Sequence, residues 1–138
     1  MYKLFIADDE AIIREGLRCL LDWETLGFTI AGEAANGDAA LQFLLSETPD
    51  LVLLDIRMPG MSGLDVVRIA REHGYDGKVV ILSGYSDFNY ARTAIRYGVL
   101  SYLTKPIDED ELLEIVSQIR NQLDSDASAR DSSAHYRQ

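Results

Sequence analysis

Residues 51–63 read LVLLDIRMPGMSG, and they give the clearest indication of how the chain folds. Its first four residues are all apolar, which is typical of a central parallel strand that is covered on both faces. The strand runs directly into Asp55, and the pairs Pro59-Gly60 and Ser62-Gly63 that follow are typical of a tight turn. The stretch therefore predicts a buried strand with a carboxylate at its end and a turn above that carboxylate.

Similar apolar runs alternate with segments of helical periodicity along most of the chain. The predicted strands are residues 4–7, 28–32, 51–54, 79–82 and 100–103, and the predicted helices are residues 11–21, 38–46, 64–73, 86–97 and 108–123. Gly74 and Gly98 follow the third and fourth helices, where a left-handed residue is common. Five βα units with right-handed crossovers predict an α/β fold with an open, doubly wound, five-stranded parallel sheet, because a barrel needs about eight units.

The composition is that of one globular domain: the chain has 138 residues, of which 47% are hydrophobic and 26% are charged. Its formal net charge of −10 argues against direct contact with nucleic acid, because DNA phosphates would be repelled. The single cysteine, Cys19, is expected to be a small packing residue, and a chain without an internal disulfide fits the reducing cytoplasm. No apolar run has the length of a signal peptide or a membrane span, so we expect neither secretion nor membrane contact.

Residues 124–138 lose the apolar stripe of the last predicted helix and are rich in serine. We therefore expect the domain to occupy residues 1–123. Residues 124–138 are interpreted as a linker, a solvated helix extension or a remnant of cloning.

Polar side chains follow four of the predicted strands. The first strand ends at Asp8 and Asp9, the third at Asp55, the fourth at Ser83, and the fifth near Lys105. Ligands of doubly wound sheets bind at the carboxyl ends of the strands, so we expect these side chains to meet in one pocket.

Three carboxylates at one edge repel one another unless a cation neutralises them. Oxygen ligands without neighbouring His or Cys favour a hard ion such as Mg²⁺ over zinc. A carboxylate can also be the nucleophile that accepts a phosphoryl group, whose charge Mg²⁺ and Lys105 would neutralise. The hydroxyl of Ser83 would donate a hydrogen bond only when that group is present. We interpret Asp55 as a phosphoryl acceptor in a pocket that it shares with Asp8 and Asp9.

Four motifs together resemble the receiver domain of two-component response regulators. They are IADDE at residues 6–10, LLDIRMPGMSG at 53–63, ILSG at 81–84 and YLTKP at 102–106, and the resemblance spans about residues 2–123. It implies a flavodoxin-like (βα)5 fold with strand order 2-1-3-4-5. It also implies a signalling switch that a sensor histidine kinase phosphorylates, rather than an enzyme that acts on a separate substrate.

The resemblance assigns the acidic residues individually. Asp55 would be the phosphoacceptor. Asp9, Asp55 and the backbone carbonyl of Arg57 would bind Mg²⁺, and Asp8 would act largely through bound water.

The other matching positions would sense the phosphoryl group. Ser83 and Lys105 would contact it, and Tyr102 would be an aromatic whose rotamer follows Ser83, although packing alone is an alternative role for this tyrosine. Arg57 and Tyr85 match positions that tune the lifetime of the phosphoryl group, and their bulk predicts slow self-dephosphorylation. In this family the bond between Lys105 and Pro106 is often cis.

Other interpretations of the same residues remain open. Asp8, Asp9 and Glu10 could simply cap the first helix. A phosphohydrolase of the haloacid dehalogenase type would place an Asp-x-Asp pattern after the first strand, whereas the acids here are adjacent. A flavodoxin-like flavin or nucleotide carrier would need a glycine-rich loop that the sequence lacks.

Residues 21–28 and 83–88 look like those of receivers fused to a helix-turn-helix output domain of the arabinose-regulator type. That domain is absent from this chain, which we interpret as the N-terminal part of a transcription regulator, with a free-standing receiver as the alternative. Phosphorylation would change the surface of the fourth predicted helix, the fifth strand and the fifth predicted helix. The same surface is a candidate homodimer interface.

Overall fold

The computed structural model of the protein describes residues 1–84 and 93–136, with side chains up to residue 129. The strands are β1 (Tyr2–Ala7), β2 (Phe28–Ala34), β3 (Leu51–Asp55), β4 (Lys78–Ser83) and β5 (Ser101–Thr104). The helices are α1 (Ala11–Leu20), α2 (Gly37–Glu47), α3 (Gly63–Glu72) and a C-terminal helix (Glu109–Tyr136).

The five strands form one parallel sheet in the order β2-β1-β3-β4-β5. This topology confirms the predicted doubly wound α/β fold and its strand order. The bounds of the predicted elements agree with the structure to within two residues, with two exceptions. The C-terminal helix continues past the predicted end at residue 123, and the fourth predicted helix falls mostly on residues 85–92, which lie outside the described residues. Residues 93–96 of that segment are helical.

Two apolar layers cover the two faces of the sheet. Successive side chains of a strand point to opposite faces, so Leu4 and Ile6 of β1 join one layer while Phe5 and Ala7 join the other. The first layer also contains apolar residues of α1 and the C-terminal helix, and the second contains those of α2 and α3. Burial on both faces explains why residues 51–54 form a continuous apolar run.

Two local expectations can be compared directly with the structure. Gly74 and Gly98 have φ angles of +90° and +72°, which confirms the left-handed residues predicted after the third and fourth helices. Cys19 is exposed, so its predicted role in packing is wrong: it lies on the outer face of α1, opposite the buried Leu17.

The described helices are all too short or too polar to span a lipid bilayer.

The C-terminal helix runs from the loop after β5 to the opposite end of the sheet. Leu123 is buried in the first apolar layer. Beyond it, the hydroxyl of Tyr2 donates a hydrogen bond to Asp124, and Nζ of Lys78 lies 3.1 Å from Oδ2 of Asp126. These contacts join the helix extension to the first residues of β1 and β4, so the extension begins as an ordered part of the domain.

Candidate functional site

The carboxyl ends of β1, β3 and β4 and the loop after β5 surround a cavity of about 260 Å³. The residues that line it are Asp9, Glu10, Asp55, Ile56, Arg57, Ser83, Gly84 and Lys105. The parallel sheet brings these residues together, because each follows a strand whose carboxyl end reaches the same edge. The cavity therefore lies where ligands of doubly wound sheets bind.

Asp8, Asp9 and Asp55 form an acidic cluster at this cavity. One carboxylate oxygen from each lies within 4.8 Å of the others. Asp8 is fully buried and Asp55 is 5% exposed, whereas Asp9 is exposed. The sequence predicts this convergence, and the structure places the three carboxylates together. A cluster of this kind, open on one side to solvent, has the donor atoms and the access that a hard cation requires.

Lys105 supplies the positive charge of the cluster. Its Nζ lies 2.7 Å from Oδ2 of Asp8 and 3.4 Å from Oδ2 of Asp55. Its backbone N–H donates to the carbonyl of Ser83 at 2.6 Å, and the bond between Lys105 and Pro106 is cis, as expected. Burial acts to lower the pKa of Lys105, but the hydrogen bond to Asp8 and the charges of Asp55 and Asp8 raise it overall.

The charge balance of the cluster is incomplete without a further cation. The pKa of Asp55 is raised from 3.8 to about 6, chiefly by burial and then by the negative charge of Asp8, while Lys105 and the N–H of Arg57 oppose the rise. Lys105 contacts two carboxylates of the cluster, those of Asp8 and Asp55, and Asp9 adds a third negative charge. A divalent cation would relieve the repulsion, and oxygen donors alone fit Mg²⁺ better than zinc.

The turn after β3 fixes the backbone of Asp55. The N–H of Gly63 donates to the carbonyl of Ile56 at 2.7 Å, and Oγ of Ser62 caps α3 by accepting the N–H of Asp65 at 3.2 Å. A Cβ atom at Gly63 would lie 2.2 Å from the carbonyl oxygen of Asp55. Only glycine allows the start of α3 to approach the end of β3 this closely.

The remaining predicted residues occupy different positions. Ser83 is buried at the end of β4, and Arg57 is exposed at the cavity wall. Tyr102 is half-buried and packs against the apolar layer formed with α2 and α3. Tyr85 lies outside the described residues.

The capping interpretation of the first acids is not supported. The N-cap residue of α1 is Glu10, and its side chain makes no capping hydrogen bond. Instead, Oδ1 of Asp8 accepts the N–H of Glu10 at 2.9 Å while Oδ2 faces Lys105. Asp8 therefore contacts the start of α1 with one carboxylate oxygen and Lys105 with the other, and Asp9 lines the cavity, so helix capping is not the whole role of these acids.

Two residues near the cluster escaped the sequence analysis. Nη1 of Arg14 donates to the backbone carbonyl of Asp8 at 2.6 Å, and its Nε lies 3.2 Å from Oε1 of Glu33. On sequence alone Arg14 belongs to the polar face of α1. Its contact with Asp8 depends on how β2 pairs with β1, which no local pattern indicates.

A larger cavity, of about 510 Å³, lies at the other end of the sheet beneath the C-terminal helix. Its walls include Asp50, which accepts the N–H of Lys3, and Lys78, which pairs with Asp126. Those charges already have partners within the fold. The smaller cavity, with its buried acids, is the better candidate for chemistry.

Comparison with known proteins agrees with this geometry. A family model described as the response regulator receiver domain matches residues 4–117. The chain belongs to this family. Receiver domains act as phosphoryl-accepting switches rather than as enzymes with a separate substrate.

Several relatives of the receiver domain carry names that indicate transcription. The uncharacterized transcriptional regulatory protein YesN of Bacillus subtilis is 36% identical over 126 residues, which cover 88% of this chain and 34% of that protein. The transcriptional regulatory protein HptR of Staphylococcus aureus is 40% identical over 119 residues, or 86% of this chain and 46% of that protein. The receiver domain thus spans between a third and a half of the length of these relatives.

Solved structures support the fold of the receiver domain. The receiver domain of AraT, a response regulator from Geobacillus stearothermophilus, superposes with a TM-score of 0.85 at 39% identity, covering 91% of this chain and 98% of that one. A two-component transcriptional regulator AraC from Clostridium phytofermentans gives a TM-score of 0.77 at 34% identity, with coverage of 86% and 92%.

Proposed function

We propose that this receiver domain is a phosphorylation-controlled switch in which Asp55 accepts a phosphoryl group from a sensor histidine kinase. The observation that carries the proposal is the convergence of Asp55, Asp9, Ser83 and Lys105 on one cavity. Asp55 ends a buried strand and also lines the cavity, so an incoming phosphoryl donor could reach it. Asp8 is fully buried and could not be reached in this way.

The transfer itself requires an ionised Asp55. One carboxylate oxygen attacks phosphorus, so that an O–P bond forms while the P–N bond of the kinase phosphohistidine breaks and the imidazole leaves. With a pKa near 6, Asp55 is mostly ionised at about pH 7.5.

The acidic cluster would bind Mg²⁺, which supplies positive charge to the phosphoryl oxygens. In our assignment Asp9, Asp55 and the backbone carbonyl of Arg57 are direct ligands, and Asp8 acts through water. Lys105 supplies the second positive charge. Because its shorter ion pair is with Asp8, its ammonium is held beside Asp55 before any phosphoryl group arrives.

The switch would follow from a hydrogen bond that exists only after phosphorylation. The buried hydroxyl of Ser83 donates to a phosphoryl oxygen. The end of β4 moves with Ser83, and Tyr102 turns inward. Tyr102 of β5 pairs with Ile81 of β4, and Thr104 of β5 pairs with Ser83, so the aromatic lies on the strand next to the one that ends in the sensing serine. Two conformations that differ by a few kcal/mol are sufficient for such a switch.

The output surface would include β5, the C-terminal helix and the helical segment before β5. It exposes the apolar side chains of Ile95, Leu100 and Leu113, at 72%, 42% and 38%. We propose that a phosphorylated homodimer covers this surface. Light scattering of the protein with and without beryllofluoride tests the proposal, and a monomer under both conditions would contradict it.

We further propose that residues 1–123 are the receiver proper and that residues 124–138 lead to a DNA-binding output domain in the cytoplasm. The names and lengths of the relatives support this arrangement. The net charge of −10 leaves nucleic-acid contact to that second domain. Arg57 and Tyr85 would slow loss of the phosphoryl group by hindering the attacking water.

The test is phosphorylation by acetyl phosphate with Mg²⁺, followed by intact-protein mass spectrometry. The wild type should gain the mass of one phosphoryl group, and Asp55→Asn should gain none. Asp65→Asn is the matched control, because Asp65 is exposed at the start of α3 and lies away from the cavity lining. Equal labelling of wild type and Asp55→Asn, or labelling that persists in excess EDTA, would contradict the proposal.

A further inference from the structure

Arg14 connects the acidic cluster to the second strand. Its guanidinium donates through Nη1 to the backbone carbonyl of Asp8 at 2.6 Å and through Nε to Oε1 of Glu33 at 3.2 Å. The side chains of Arg14 and Glu33 are only 19% and 21% exposed. The contact is therefore better shielded from solvent than an ordinary surface ion pair.

Glu33 orients this arginine. It lies on β2 opposite Ile6 of β1, two residues before Asp8. Its second oxygen, Oε2, pairs with Arg18, one helical turn after Arg14. The carboxylate thus contacts two cations of α1 through different oxygens, and its contact through Oε1 with Nε of Arg14 limits the plane in which that guanidinium can lie.

The acceptor on Asp8 matters because of its position in the chain. The carbonyl of residue 8 belongs to the rigid peptide unit that joins Asp8 to Asp9, so a hydrogen bond to this oxygen fixes the orientation of the whole unit. The N–H of Asp8 is separately bound to the carbonyl of Ala34 at 3.1 Å. Arg14 therefore constrains the directions in which the carboxylates of Asp8 and Asp9 leave the backbone.

We propose that Arg14, oriented by Glu33, is a positioning residue for the Mg²⁺-binding carboxylates of Asp8 and Asp9. The inference rests on the proposed function, since it assumes that the acidic cluster binds this ion. Arg14 does not line the cavity, so it would not touch a phosphoryl group on Asp55. Its effect is to preorganise the ligands, so that fewer orientations of the 8–9 peptide must be lost when the ion binds.

The planar fork of arginine is essential to this role. One guanidinium reaches Asp8 and Glu33 at the same time through two differently directed N–H groups, and a lysine ammonium at the same position cannot reproduce that geometry. The proposal thus separates geometry from charge: Arg14→Lys keeps the charge but loses the fork, and should behave like Arg14→Met.

The experiment measures Mg²⁺ binding by isothermal titration calorimetry of the full chain. We expect Arg14→Met and Arg14→Lys each to raise the Kd for Mg²⁺ about tenfold, the lower end of effects seen when a residue that orients metal ligands is removed. Glu33→Gln should raise it less. Arg18→Met is the matched control, because it also removes a cation of α1 and an ion pair with Glu33 but makes no contact with Asp8; its Kd should stay within twofold of wild type.

A second measurement separates positioning from general damage. In phosphorylation by acetyl phosphate, Arg14→Met should need more Mg²⁺ for half-maximal rate, while its rate at saturating Mg²⁺ should stay within threefold of wild type. If Arg14→Met does not unfold cooperatively, Arg14→Lys and Glu33→Gln carry the test.

Two results would overturn the inference: a Kd for Arg14→Met and Arg14→Lys within twofold of wild type, or an equal rise in Arg18→Met, which would assign the effect to charge. Both leave the proposed function intact, because the wild type still binds Mg²⁺. A wild type that fails to bind Mg²⁺ would instead contradict the proposed function itself.

Discussion

Lys105 and Asp8 form an ion pair of 2.7 Å in which the carboxylate is fully buried. This pair is shorter than the 3.4 Å contact between Lys105 and Asp55. The lysine thus has its main partner in the residue that cannot reach an incoming donor. Asp55, with the longer contact, is less neutralised, in agreement with its raised pKa.

Lys105→Met should destabilise the metal-free protein by about 3 kcal/mol at neutral pH, because it leaves the charge of Asp8 buried without its cation. Urea unfolding in EDTA measures the loss. In a double-mutant cycle with Asp8→Asn, we expect a coupling of about 1 to 2 kcal/mol. Lys78→Met is the control, since its partner Asp126 is exposed and the pair should contribute less than about 1 kcal/mol. A coupling near zero would contradict the assignment.

Asp55→Asn should stabilise the metal-free protein. The folded-state pKa of Asp55 is about 6, above its ordinary value of 3.8, so between these values the folded state binds more protons than the unfolded state. The stability that Asp55 contributes is fully present below about pH 4 and is lost as the pH rises through about 6. At about pH 7.5 the asparagine variant should therefore be more stable by on the order of 1 to 3 kcal/mol.

Unfolding of both proteins by urea in EDTA at several pH values measures this difference. The gap between Asp55→Asn and wild type should widen from about pH 4 to about pH 7. A constant gap would mean that the pKa of Asp55 is not raised by folding.

Gly63→Ala should destabilise the fold by about 2 kcal/mol or more, because its Cβ would meet the carbonyl oxygen of Asp55 at 2.2 Å. The backbone of Asp55 must then shift, so phosphorylation by acetyl phosphate should also slow. Gly16→Ala is the matched control: Gly16 lies inside α1 with no atom within 4 Å of an added Cβ. That change should stabilise the protein by up to about 1 kcal/mol. Equal effects of the two substitutions would contradict the close approach.

The part of the C-terminal helix that contributes to the free energy of unfolding should end near residue 129. Leu123→Ala, which truncates a buried side chain, should cost about 2 to 4 kcal/mol in urea unfolding. A chain that ends at Ala129 keeps the contacts of Asp124 and Asp126 and should unfold within about 0.5 kcal/mol of the full chain. Circular dichroism should show less helix in that shorter chain. A large loss of stability on truncation would place residues 130–138 within the folded domain.

The sheet was predictable because its information is local. Residues 51–54 and 79–82 are apolar runs of strand length, and burial on both faces leaves no other favourable place for them. The acidic cluster was predictable once the strands were, because a parallel sheet brings the carboxyl ends of all its strands to one edge. Asp8, Asp9 and Asp55 could be placed together without knowing any side-chain torsion.

The features that the sequence left open or missed depend on contacts between distant segments. The part of the C-terminal helix beyond residue 123 has no apolar stripe. The turn at Asp124 and Asp126 is bound by Tyr2 and Lys78, which are far away in sequence. The contacts of Arg14 depend on the pairing of β2 with β1, where the register shifts between Leu4 and Phe5. Patterns of hydrophobicity do not encode a register shift, so Arg14 looked like an ordinary polar residue of α1.

The C-terminal helix is also a lever arm. It contains 28 residues, and at about 1.5 Å per residue it is about 42 Å long. Its first turn follows the loop of Lys105, and its far end extends beyond the opposite end of the sheet. A tilt of only about 5° at the first turn would move the far end by about 4 Å. A side-chain rearrangement beside Asp55 would thus be magnified, by leverage alone, into a displacement of about three quarters of a helical turn.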